Sequence, residues 1–281
     1  LYFISTEPNG RDVVYLWNLT DDMSGSPQMV RYVIPTDEYD TAANAHQAGS
    51  NELLDNGNCR VMSAFYLDGI VHFVFDRDIG QGWSGINYSR LLVSAGTIQN
   101  ATYGLAGSYD YAYPAIASCS TDPADQSVMI AFLRCSDAIY PEVRVVNCDH
   151  DMQWSSSTLV KAGETYVDFL NGQERWGDYT GISRGADSHI WLAGSYGADI
   201  PDQSTYNSFK TWVAEILADT SVRVSNPVQE KSVYVFPNPV YDMFRLEFVL
   251  DLPEEINITI YDVQGRLVKL LYRDVPKSGL N

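Results

Sequence analysis

The chain has 281 residues, with 36 acidic against 18 basic side chains and a formal charge of −18. Such a field repels phosphate backbones and anionic lipid surfaces, which sets nucleic-acid binding aside, and no apolar run approaches the roughly 20 residues that a spanning helix needs. Aromatic residues make up 12% of the chain, 19 Tyr among them, and Gly, Asn, Asp and Ser punctuate short apolar runs at close intervals, which is an all-β pattern.

In chain order, residues 1–6, 12–20 and 28–34 read as three strands. A repeat follows. Residues 60–65, 114–118 and 180–183 are small-residue strands, and each leads through a turn into an apolar strand: 69–75 (GIVHFVF), 127–133 (SVMIAFL) and 188–195 (SHIWLAGS). A third strand comes next each time, at 85–93, 141–147 and 210–216. Equivalent positions lie roughly 50 to 65 residues apart, the range of propeller blades with long loops. Val71, His72, Phe73, Val74 and Phe75 are apolar on both faces of their strand, which predicts a sheet lying between two others. These elements predict one partial and three complete four-stranded blades, with residues 222–224 as the outer strand of the last. The polar stretch 218–230, containing Pro227, places a domain boundary near Asn226: a β-propeller fragment over 1–226 and a small second domain over 227–281. In that second domain Phe244, Leu246 and Phe248 alternate with Arg245 and Glu247, and Ile256, Ile258 and Ile260 alternate with Asn257 and Thr259. That is the period of half-buried antiparallel strands in a small β-sandwich.

Four features of the C-terminal segment carry a resemblance. An apolar run ends in Pro237-Asn238-Pro239, strands follow at 244–248 and 256–261, and the turn Asp262-Val263-Gln264-Gly265-Arg266 leads into Leu267-Val268-Lys269. This order is similar to the C-terminal sorting domain of the type IX secretion system, which carries folded proteins across the outer membrane of certain Gram-negative bacteria. The resemblance implies an immunoglobulin-like sandwich, the type IX machinery as partner, and an extracellular or outer-membrane-surface location. The sorting motif it marks comprises Pro237, Asn238, Pro239, Tyr261, Asp262, Gly265 and Arg266. The family pattern continues past Asn281 with further strands, so the tail is expected to be truncated, and residues 1–5 lack an initiator Met and a signal-peptide pattern. Residues 113–117 (YPAIA) and 175–181 (RWGDYTG) resemble sialidase-type (BNR-like) propellers, a likeness that spans roughly residues 1 to 220. No clean Asp-box and no Arg-Ile-Pro signature accompanies it.

In such a propeller the loops before each innermost strand share one face with the loops joining the second and third strands. Here these are residues 54–60, 108–113 and 173–179, with 76–84, 134–140 and 196–207. They contain the candidate ligand-binding set Arg60, Asp76, Arg77, Trp83, Tyr111, Tyr113, Arg134, Arg175, Trp176 and Asp178. Arginine forks hold carboxylates and ring faces stack on sugars, so the set suits a glycan or protein ligand. The alternative is a sialidase-like glycoside hydrolase in which Arg60, Arg134 and Arg175 imitate the family's arginine triad and the other catalytic residues lie elsewhere. A plainer reading pairs Arg175 with Asp178 and packs Trp176 between blades.

Other patterns point nowhere. Gly80-Gln81-Gly82-Trp83-Ser84-Gly85 matches G-x-G-x-x-G but lies between two strands, so it is no dinucleotide site. His72 and His189 sit in middle strands, where a satisfied core imidazole is the default, and Cys148-Asp149-His150-Asp151 reads as a solvated loop. No cofactor is expected, with calcium left open on the acidic loops Asp21-Asp22, 76–78 and 149–151. Cys59, Cys119, Cys135 and Cys148 allow three pairings in an exported protein, and unpaired burial is equally open.

Overall fold

The computed structural model describes residues 1–20, 25–120, 122–170, 174–185, 189–199 and 208–217, together with four strands of the C-terminal part. The chain divides into two compact units, Leu1–Arg223 and Val224–Asn281. Every described element is a strand.

The first unit is a succession of antiparallel meanders. β1 (Tyr2–Thr6), β2 (Arg11–Thr20) and β3 (Gln28–Tyr39) form a three-stranded sheet. β4 (Ser63–Leu67), β5 (Ile70–Asp78), β6 (Ser84–Leu92) and β7 (Thr97–Tyr103) form a four-stranded one, as do β8 (Asp110–Ser118), β9 (Val128–Ser136), β10 (Ile139–Cys148) and β11 (Thr158–Lys161). β12 (Gly181–Arg184), β13 (His189–Ala198) and β14 (Ser208–Leu217) follow as a three-stranded sheet, and the expected outer strand at 222–224 lies outside the described residues. Strand order equals chain order in each sheet, so every connection within a sheet is a hairpin. Asp68 and Gly69, at φ +44° and +84°, make the tight turn between β4 and β5, where an Asp-Gly pair suits two left-handed positions.

Alternation along the middle strands builds one core layer on each side of a sheet. Val71, Phe73 and Phe75 of β5 pack with Val14, Leu16 and Ile34 of the first sheet. Val74, on the other face of β5, packs with Ile116, Val128, Ile130 and Phe132 of the third sheet. Ala131 and Leu133 of β9 then face Leu192, Tyr196 and Ala198 of β13. Stacking of this kind explains why the middle strands are apolar on both faces: each is covered twice. The fold is all-β, with successive sheets stacked as the blades of a partial propeller.

All four cysteines are buried and free. Burial pushes the Cys59 thiol up to about 11 and those of Cys119 and Cys148 up to about 12, so none is a reactive thiolate at neutral pH. His72 is a satisfied core imidazole: its ring nitrogens meet Tyr88 Oη and Gln126 Oε1, both at 2.8 Å. In the second unit β15 (Val233–Phe236) pairs with β16 (Arg245–Phe248) and β17 (Ile256–Tyr261) with β18 (Leu267–Asp274).

Candidate functional site

One end of the sheets is marked by pairings. Ser84, opening β6, lies opposite Asp78 at the end of β5, and Asp110, opening β8, lies opposite Cys135 near the end of β9. A hydrogen bond from the Ser84 amide to Asp110 Oδ1 (3.0 Å) joins the two sheets there. The long connection from β3 to β4 lies over this end. Asp40 O accepts from the Asp78 amide (2.8 Å), the Ala43 amide donates to Gly82 O (3.2 Å), and the Ala48 amide donates to Ile139 O (3.3 Å). Asp55 N–H reaches Glu174 O (2.8 Å), while the Gln47 side chain donates to Val167 O and accepts from Val167 N–H, both at 2.8 Å. A stretch of over twenty residues thus has its backbone satisfied by three successive sheets and their connections, which is what lets Ala45, Leu54 and Asn56 be buried in a loop.

Beneath this cover the ten sequence-derived candidates divide. Asp76, Tyr111, Tyr113 and Trp176 are buried. Tyr113 is the hub: its amide donates to Asp76 Oδ2 (3.1 Å), its hydroxyl to Asp55 O (2.6 Å), and its ring meets Trp176 edge-on at 6.3 Å. It occupies a bulge in β8 with φ +54°, a left-handed conformation uncommon for a bulky side chain and of the kind that gathers at functional positions. Burial raises the Asp76 carboxyl well above the ordinary range, against the single backbone bond from Tyr113 that favours its charged form. Burial, then the charges of Asp55, Asp178 and Asp76, also raise the Tyr113 phenol, and burial takes Tyr111 up to about 12. Asp76 Oδ1, Asn56 Oδ1 and Trp176 Nε1 are buried without a hydrogen-bond partner.

The remaining candidates are spent or exposed. Arg134 is held by Glu142 Oε1 through Nε (2.8 Å) and Nη2 (2.7 Å) and lies over the Tyr109 ring, while Arg77 donates to Glu38 O (2.8 Å) and Asn87 Oδ1 (3.3 Å). Arg175 pairs with Asp178 Oδ2 at 2.5 Å on the turn whose Gly177 and Asp178 have φ +67° and +50°. Trp176, between them in sequence, packs into the core with Leu133, Leu192 and Tyr196. A Cβ at Gly177 would lie 2.5 Å from Leu133 Cδ1, so the Arg-Trp-Gly-Asp run needs its glycine. Arg60 is exposed, and Trp83 is partly so.

Sequence reading missed His46. Its Nδ1 lies 2.8 Å from Asp110 Oδ2 and its backbone N–H donates to the same oxygen at 2.9 Å. The ring stacks on Trp83 with centroids 4.8 Å apart and 28° between planes. No spacing signals a partner 64 positions away. Among the described residues no three His, Cys, Asp or Glu side chains are grouped as metal ligands.

Comparison with known proteins concerns mainly the second unit. Residues 234–278 match the family model of the secretion system C-terminal sorting domain. This segment is a sorting tail. Its span includes all seven sorting-motif residues, of which Tyr261 ends β17, whereas Pro237, Asn238, Pro239, Asp262, Gly265 and Arg266 lie outside the described residues. The sorting tail makes the protein a client of the type IX machinery, with an extracellular or outer-membrane-surface location. No helix among the described residues is long and apolar enough to cross a membrane. No curated protein matches the chain. Among solved structures, an endo-arabinase from Bacteroides thetaiotaomicron aligns with 74% of this chain and 72% of its own at 11% identity and a TM-score of 0.30. A subtype N11 neuraminidase-like protein (H18N11) aligns with 74% of this chain and 87% of its own at 9% identity and a TM-score of 0.23. Neither likeness bears on the site.

Proposed function

We propose that the sorting tail exports a propeller, residues 1–226, that binds a glycan or a protein at the sheet end covered by the β3–β4 connection. The observation that carries this reading is the turn at 175–179. Buried Trp176 fixes it from below, two left-handed residues shape it, and Arg175, Asp178 and the 76%-exposed Tyr179 stand on it. Charged and aromatic groups held outward on a rigid base are what an oriented polar contact uses. Arg60 and Trp83 extend this surface, and Asp76, Tyr111, Tyr113 and Arg134 shape its floor.

The binding reading is preferred to a sialidase-like hydrolase because Arg134 already has a largely buried carboxylate partner, Glu142. A substrate carboxylate would have to displace it. Glycan arrays and glycosidase assays on the full chain, with Arg175→Ala alongside, decide between them. Saturable binding lost in the variant, without turnover, is the expected result. Turnover of a sialylated substrate that Arg175→Ala abolishes would overturn it.

A further inference from the structure

The geometry points to an acid–base dyad, His46 with Asp110, that activates water for hydrolysis of an acyl ester. Asp110 is fully buried and its two oxygens are filled: Oδ2 by the His46 amide and ring, Oδ1 by the Ser84 amide (3.0 Å) and hydroxyl (3.2 Å). A carboxylate surrounded by donors only accepts, so the imidazole proton lies on Nδ1 and the lone pair on Nε2. His46 is 36% exposed at its side chain, and Nε2 has no partner among the described residues. The Trp83 indole stacks on the ring, so both tautomer and orientation are set before any ligand arrives. A clip for the β3–β4 connection needs only the His46 amide; the solvent-facing imidazole exceeds that task.

The surroundings narrow the chemistry. Ser84 is not the nucleophile of a triad: its hydroxyl donates to Asp110 and accepts from the Tyr111 amide (2.9 Å), on the wrong side of the histidine, and the residue is fully buried. Glycoside hydrolysis uses two carboxyl groups facing the bond, whereas Asp110 is enclosed and fully bonded. A single oriented base with solvent access suits attack by water on an acyl carbon. His46 Nε2 takes a proton from water, whose oxygen bonds to the acyl carbon. On collapse the carbon–alkoxide bond breaks, and the Nε2 proton passes to the departing oxygen, giving acid and alcohol with His46 restored. The exposed part of Trp83 offers an apolar surface beside the reacting carbon. His46 is the catalytic residue and Asp110 its positioning residue.

This goes beyond the binding reading, and its test is independent of it. The full chain is assayed on p-nitrophenyl acetate as probe. The expected result is hydrolysis about tenfold faster than an equal concentration of free imidazole. His46→Gln, at a part-exposed ring, should fold normally and fall to the buffer rate. Asp110→Asn should lower the rate about tenfold, as loss of the partner that orients a histidine does, and NMR of the ring nitrogens should show the Nδ1–H tautomer only with Asp110 present. A wild-type rate no better than free imidazole, or an unchanged rate in His46→Gln, overturns the proposal. Either outcome leaves the glycan-array result standing.

Discussion

At the scale of single residues, two buried titratable groups pull the pH dependence of stability in opposite directions. Burial holds His72 down to about 4, its bond to Gln126 only partly offsetting the desolvation. Tyr88 Oη donates to Nδ1, Nε2–H donates to Gln126 Oε1, and Arg90 Nε donates to Tyr88 Oη, so a second ring proton has no acceptor. The unfolded chain takes up that proton near pH 6.5 and the folded one only near 4. Stability from this group is therefore complete above pH 6.5 and lost as pH falls to 4, by about 3 kcal/mol. Urea titrations of wild type and His72→Gln across that window should show the steeper loss in wild type; parallel curves would refute it. Asp76 has the reverse sign. Its folded carboxyl keeps a proton that the unfolded chain releases near pH 4, so stability falls as pH rises above that value. Asp76→Asn, the same shape without the charge, should melt higher than wild type at pH 8, and the gain should shrink toward pH 4. A variant less stable at pH 8 would show that Asp76 is held ionised by a partner.

At the scale of elements, the strands that lie between two sheets were the legible ones. Residues 69–75 and 127–133 are apolar on both faces because β5 and β9 are covered on both, and the Asp68-Gly69 pair marks its own turn. The outer strands β7 (TIQNATY) and β11 (TLVK) gave no comparable signal, since their exposed faces select no apolar pattern. For the candidate site, the sequence names loops that come together but not the geometry they take. The loops named from sequence do meet, as Tyr113 Oη on Asp55 O shows, but burial of Tyr113 and Trp176 depends on a loop whose local sequence is polar. Left-handed Tyr113 and the contact between His46 and Asp110 arise from tertiary packing, which no local propensity encodes. The clearest handle on that loop is Gln47, whose amide completes both backbone groups of Val167. Gln47→Ala leaves a buried N–H and a buried C=O unpaired, at a cost of roughly 2–4 kcal/mol. Limited proteolysis should then cut within residues 48–53 of the variant well before wild type, and equal cutting rates would mean the other anchors suffice.

At the scale of the whole molecule, charge and address belong together. A formal charge of −18 keeps the chain from binding anionic membrane surfaces nonspecifically, so its placement outside the cell depends on a recognised signal, and the sorting tail supplies one. The division into Leu1–Arg223 and Val224–Asn281 separates the two tasks: the three core layers that stabilise the stacked sheets all lie in the first unit. Export should therefore follow the tail and not the propeller. A periplasmic reporter joined to the segment from Val224 onward, with its natural C-terminus, should appear in the medium or on the surface of a host with the type IX machinery. The same reporter joined to the propeller alone should stay in the periplasm. Replacing Asp262, Gly265 and Arg266 together by Ala should return the tailed reporter to the periplasm, because those residues lie between β17 and β18 in sequence and fall within the matched domain. Export of the propeller-only reporter would transfer the address to the stacked sheets, and retention of the tailed one would remove it from the tail.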